Sequence, residues 1–195
     1  MARPVEFEKD SVLTKAMEQF WKEGYEASSV QKLLDATDIN RGTLYNSFGN
    51  KETFFISCLE KYNELVKADI DATLGNSKLN PLKAIEAYFD TAIISAPNKQ
   101  RILGCLLVNS VCESINWDKD IQKIVKSALN VVRKSLLART KELEKGRLLA
   151  RGVKADMAAD ILMNLYSGLR VSARNGKGPR QLTDLLGFTL NSIKK

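Results

Sequence analysis

The sequence predicts an all-α protein, on three observations. Apolar residues recur at i, i+3 and i+4 through most of the 195 residues, and no alternating segment is long enough to propose a strand. Gly, Pro and Asn punctuate those stretches where helices stop and start. Two short helical stretches near the N-terminus flank a three-residue connector, the layout of a helix-turn-helix.

In order along the chain, residues 6–24 read as a first helix with an apolar stripe of Phe7, Val12, Leu13, Ala16, Met17, Phe20 and Trp21, stopped by Gly24. Tyr25 beyond it serves either packing or contact. Ser28 or Ser29 caps a second helix, in which Val30, Leu33 and Leu34 form one face and which ends near Thr37. Asp38-Ile39-Asn40 connects it to a third over residues 41–48, with Asn40 as N-cap. There Leu44 and Phe48 turn inward, leaving Arg41, Thr43, Tyr45 and Asn46 outside. Gly49-Asn50 breaks the chain, and Lys51 opens a bridging helix to about residue 74 with Phe54, Phe55, Cys58, Leu59 and Tyr62 on one side.

The outer set of the third helix suits double-stranded DNA. Arg41 can grip guanine or phosphate, Asn46 adenine, and Thr43 and Tyr45 a phosphate oxygen or a thymine methyl. Gly42 permits close backbone approach, and Lys51 with the helix N–H groups behind it can hold a further phosphate. The rival from another class is a helical protein-interaction module, which has no use for these four side chains on one exposed face.

Gly24-Tyr25-x-x-Ser28-Ser29-Val30, followed by Ile39-Asn40-Arg41-Gly42-Thr43-Leu44-Tyr45-x-x-Phe48-x-x-Lys51-Glu52, is similar to the signature of the tetracycline-repressor (TetR) family of regulators. It departs at Asp38, where the family usually has glycine; Asp tolerates the left-handed conformation better than most residues. The resemblance implies a DNA-binding domain over residues 1–50 and a helical ligand-binding and dimerisation domain over 51–195. The implied DNA-binding set is Ser28, Ser29, Arg41, Gly42, Thr43, Tyr45, Asn46 and Lys51. It further implies a homodimer, an operator and a small-molecule inducer, with no cofactor.

In the second half, helices are expected over 81–95 (Leu82, Ile85, Tyr88, Phe89, Ala92, Ile93) and 100–114, the latter the most buried of this half. A long amphipathic helix follows over 118–145, with Ile121, Ile124, Val125, Ala128, Val131, Val132 and Leu136 inward. Its Lys and Arg residues face outward, as a solvated face or as an attraction for acidic ligands or flanking DNA. Helices over 154–175 and from 179 to about 193 complete the chain. Ala155, Ala158, Ala159, Leu162, Leu165, Tyr166 and Leu169, with Leu182, Leu185, Leu186, Phe188 and Leu190, read as a dimer face.

Tyr88, Phe89, Cys105, Asn109, Trp117 and Tyr166 are the candidate ligand-pocket residues, with Asn109 either a satisfied core amide or a hydrogen-bonding group for the ligand. The segment 104–109 resembles one found in TetR branches that sense quinones, N-ethylmaleimide and hypochlorite through a cysteine, although Arg174 stands where that branch has a lysine. Cys105 is therefore either pocket lining or a single-site electrophile sensor. On an unbroken helix Cys105 and Cys112 share a face at ~10.5 Å, too far for a disulfide, with Gly104 opening one side to an electrophile.

Composition narrows the function. The absence of histidine removes the common nucleophile pairs and two-histidine zinc motifs, so neither catalytic nor metal-binding residues are expected. No apolar run approaches membrane-spanning length and the start of the chain lacks a signal-peptide pattern, so a cytoplasmic protein without membrane attachment is expected. Three cysteines agree with a reducing compartment. The net charge is +7, but residues 1–55 carry seven Lys/Arg against nine Asp/Glu, formally −2, which leaves +9 for the rest. Phosphate binding by the N-terminal part then rests on a few placed cations, hydroxyls and helix N-termini. These readings converge on a ligand-responsive transcriptional repressor.

Overall fold

A computed structural model describes residues 9–113, 117 and 119–195. The expected positions Phe7, Ser114 and Asp118 lie outside the described residues. The chain folds into helices α1 (Lys9–Glu23), α2 (Val30–Thr37), α3 (Arg41–Phe48), α4 (Lys51–Ala72), α5 (Pro81–Phe89), α6 (Asn98–Arg101), α7 (Leu106–Glu113), α8 (Lys119–Lys145), α9 (Ala155–Arg174) and α10 (Pro179–Ile193). An isolated bridge between Leu149 and Lys194 is the one β contact among the described residues, and it ties the end of the chain to the loop before α9. No helix among them is long and apolar enough to cross a membrane.

One apolar core runs from Val12 on α1 to Ile193 on α10. Along the shared α1–α4 contact, Phe20 lies 4.8 Å from Phe55 and Trp21 lies 5.0 Å from Tyr62, ring to ring. Cys58 is fully buried there and donates to the Leu13 carbonyl at 3.8 Å, and burial pushes its thiol far above the usual range.

The second half corrects three expectations. The helix expected over 81–95 leaves the α geometry after Phe89 and finishes as a π-helical turn over Asp90–Ile94, closed by Ser95 N–H to Asp90 O at 2.8 Å. The helix expected over 100–114 is two helices, because Gly104 takes φ +76° between α6 and α7. The loop's carbonyls are satisfied from a distance: Asn109 Nδ2 donates to Leu103 O at 2.9 Å and Arg170 to Gly104 O at 3.1 Å. Cys105 therefore precedes α7 rather than sharing a helix face with Cys112, and it is fully buried while Cys112 is exposed. Val111, on the outer side of α7, is 45% exposed.

On α8 the cations do not all face water. Arg139 is 6% exposed and donates to Leu74 O at 2.6 Å and Asn76 O at 2.8 Å, closing the carbonyls just past the end of α4. Its charge is met by Glu142 at 3.2 Å. The two helices thus run side by side in the same sense, α8 beginning beside Phe55 through Trp117 and passing Leu74 at Arg139.

Candidate nucleic-acid interface

Local caps set the two short helices. Ser29 accepts from Lys32 N–H and Asn40 from Thr43 N–H, while Asp38 ends α2 in the left-handed region at φ 58° with its N–H bonded to Leu34 O. Leu33 on α2 and Leu44 on α3 are fully buried, each contributing about 1.5–3 kcal/mol by leaving water. Phe48 stacks on Phe54 at 4.3 Å, which seats α3 on the start of α4.

With that face buried, Arg41, Gly42, Tyr45 and Asn46 are exposed and Thr43 is half-buried. Tyr45 is 44% exposed, unusual for so large an apolar ring. A Cβ on Gly42 would sit 3.2 Å from the Asn40 cap oxygen, so the bare backbone also protects the cap. The first turn of α4 is held by a reciprocal pair in which Asn50 accepts from Thr53 N–H and Thr53 Oγ1 from Asn50 N–H.

Two expected contacts are altered, at Ser28 and Lys51, and the open alternative at Tyr25 closes on packing. Ser28 is fully buried and donates to Gly24 O at 2.6 Å, so it builds the turn before α2 and offers nothing to a ligand. Tyr25 packs, with Phe55 at 4.8 Å and Trp117 at 5.2 Å. Lys51 places its ammonium 4.4 Å over the Tyr25 ring and 3.4 Å from Glu26 O, and burial pulls its pKa below the ordinary value. The lysine charge lies beside α4's first turn, already half-engaged within the chain.

Of the six candidate pocket residues, four come together. Tyr88 stacks on Tyr166 at 5.8 Å, Phe89 lies 6.4 Å from Tyr166, and Cys105 Sγ is 3.6 Å from the Tyr166 hydroxyl. All four are fully buried and close-packed, and burial raises the phenols of Tyr88 and Tyr166 so that both are neutral. Gly104 leaves no opening beside Cys105: an added Cβ would meet the Arg170 carbonyl and the Asn109 side chain, each at 3.3 Å. Asn109 serves the loop, and Trp117 joins Tyr25 and Phe55 instead of the cluster.

The residue that sequence reasoning missed is Arg170. Buried to 6% exposure, it bonds Gly104 O and the Tyr166 hydroxyl, and its Nε has no partner among the described residues. The signal was available, since Arg170 follows Tyr166 by four in the inward stripe of α9. It borders a cavity of about 420 Å³ between α1, α4, the π-helical turn and α9, whose lining includes Trp21, Tyr62, Asp69, Asp90 and Ala96. The Trp21 indole N–H likewise has no partner among the described residues. Burial raises the Asp69 carboxyl, opposed by the Arg170 charge.

Residues 12–58 match the family model described as bacterial regulatory proteins, tetR family. The chain is 31% identical over 194 residues to the HTH-type transcriptional repressor ComR of Escherichia coli (strain K12), covering 96% of this chain and 90% of that protein. It is 24% identical over 174 residues to the HTH-type transcriptional repressor NemR of the same strain, covering 87% and 85%. In fold it matches the TetR family transcriptional regulator CifR, solved as a cysteine mutant with 26-bp operator DNA, at TM-score 0.85 and 21% identity over 98% of this chain and 99% of that one.

Proposed function

This chain belongs to the TetR family of bacterial regulatory proteins and is a helix-turn-helix transcriptional regulator rather than an enzyme; on that premise we propose a homodimeric repressor that a small molecule releases from its operator. The observation that carries the reading is the outer face of α3, where Arg41, Tyr45 and Asn46 stand exposed on a helix whose other face, Leu44 and Phe48, is buried and seated on α4. Residues 1–50 form the reading head and 51–195 the regulatory part. Two copies of α3 enter successive major grooves about one DNA turn (~34 Å) apart, with Thr43, Ser29 and Lys51 on phosphates.

Pairing falls to α9 and α10, through a set that keeps Leu185 and Phe188 from the sequence stripe but not its buried members. Leu162, Tyr166, Leu182, Leu186 and Leu190 are buried within the chain, so they hold the monomer together. The unpaired side carries Met157 and Val171 on α9 and Leu185 and Phe188 on α10, with Phe188 75% exposed. Gly168 and Gly187 sit inside these helices where an added Cβ would meet nothing within 4 Å. A mid-helix glycine costs about 1 kcal/mol relative to alanine, a cost that close approach of a second copy explains.

The inducer enters the cavity bordered by Arg170, rather than the packed aromatic cluster. That cavity touches α1 through Trp21 and α4 through Tyr62 and Asp69, so an occupant bears directly on the angle between the head and the bridging helix. A small tilt of α4 spoils the half-site spacing. Cys105 offers no surface to an electrophile in this conformation, which favours reversible binding over covalent modification.

Transcription in vitro tests the repressor reading. A duplex selected by the protein from random sequence is placed over a promoter start. Transcript should fall as protein is added, and unchanged or increased transcript at saturating occupancy would contradict repression.

A further inference from the structure

The N-terminal part must hold a polyanion with a formal charge of −2, while the rest of the chain carries +9. Some of the head's acids are neutralised locally, Glu23 by Lys32 at 2.6 Å, Asp10 by Lys61 at 2.5 Å and Glu18 by Lys99 at 2.9 Å. These pairs also consume cations. A source of free positive charge near the DNA is therefore worth seeking outside the head.

Resting on the DNA-binding reading above, we propose that the first turns of α8 bind the phosphate backbone of the same duplex that α3 reads. Lys119, Lys123 and Lys126 are exposed and fall within a ~60° arc of the helix surface at 100° per residue. Ser127 and Asn130 continue that face with further hydrogen-bond donors. The three lysines make no ion pair among the described residues.

Their position follows from two anchors. At the near end Trp117 packs 5.2 Å from Tyr25, the ring over which Lys51 sits at 4.4 Å, so α8 starts one aromatic ring away from the phosphate-side turn of α4. Gln122 Nε2 donates to the main-chain carbonyl of Trp117 at 3.1 Å and ties that residue's backbone to the first turn of α8. At the far end Arg139 is bonded past the C-terminus of α4, so α8 points its N-terminus, with its positive dipole end, toward the reading head. Lys141 and Lys145 lie on the same helix about 33 Å or more beyond Lys119, several Debye lengths away at ~10 Å in 0.1 M salt.

The test compares the wild type with Lys119→Ala/Lys123→Ala/Lys126→Ala and with Lys141→Ala/Lys145→Ala. Each binds a duplex that the wild type selects from a random-sequence pool, extended at both ends, and Kd is followed against KCl concentration. Every phosphate contact contributes about 0.9 to the slope of log K on log salt, so loss of one or more per subunit of the dimer should make the near-end variant's slope shallower by about 2 or more. The far-end variant should keep the wild-type slope, and circular dichroism should show all three equally folded. An unchanged slope in the near-end variant, leaving its lysines to solvent or to an acidic protein, overturns the proposal. Equal loss in the far-end variant, the mark of a general field, overturns it too. Failure of the wild type to bind any duplex would remove the DNA-binding reading itself and this proposal with it.

Discussion

Arg41→Ala with Tyr45→Ala should abolish selective DNA binding, weakening it by at least roughly a hundredfold while leaving the fold intact. Each side chain projects from the exposed face of α3 and neither packs in the core, whereas Leu44 and Phe48 on the opposite face carry the helix's packing. A good base or phosphate contact is worth about 1–3 kcal/mol and is lost in both half-sites; Arg41 and Tyr45, four apart on α3, are neighbours on the helix surface, so the expectation does not require their two losses to add. Fluorescence anisotropy with a selected duplex and a scrambled one reads the result. Thermal unfolding should differ from the wild type by no more than a surface substitution allows, about 0.5 kcal/mol. Retained discrimination between the two duplexes in the double variant would remove α3 as the reading element.

Val171→Glu with Phe188→Glu should give a folded monomer that holds the duplex about 10²–10⁴-fold more weakly, because each half-site then binds without its tethered partner. Both side chains are more than half exposed in the monomer, so the charges meet water unless a second copy covers them. The same change at Leu162 or Leu186 would tell little, since those leucines are core and their loss would unfold the chain. Light scattering at micromolar concentration separates the outcomes. A variant that stays dimeric places the pairing surface elsewhere, and a wild type that is monomeric contradicts the paired reading altogether.

What the sequence made legible was local. Ser29, Asn40 and Asn50 each accept from the backbone N–H three residues on, so the bounds of α2, α3 and the start of α4 depend on neighbours alone. The Asp38 turn and the inward Leu44 and Phe48 are equally short-range. Long-range contacts decided the rest. The break at Gly104 is stabilised by Arg170, 66 residues away, so an apolar run with one glycine gave no sign of how sharply it would turn. Trp117 had the right chemistry for a pocket, yet Tyr25 and Phe55 claim it for the seam between head and body. Apolar stripes on α9 and α10 showed that something covers them, not whether it is this chain or a second copy. A buried Arg139 among outward-facing cations was hidden because only the carbonyls beyond α4 call it inward.

The central claim, that a pair of α3 helices reads two half-sites, is tested most directly by selecting bound duplexes from a random-sequence pool with the wild-type protein and sequencing them. The account predicts an enriched inverted repeat whose half-site centres are about one helical turn apart, roughly 10 base pairs, and no enrichment by the Arg41→Ala/Tyr45→Ala variant. Recovery of unpatterned sequence by the wild type, or of the same repeat by that variant, would contradict it.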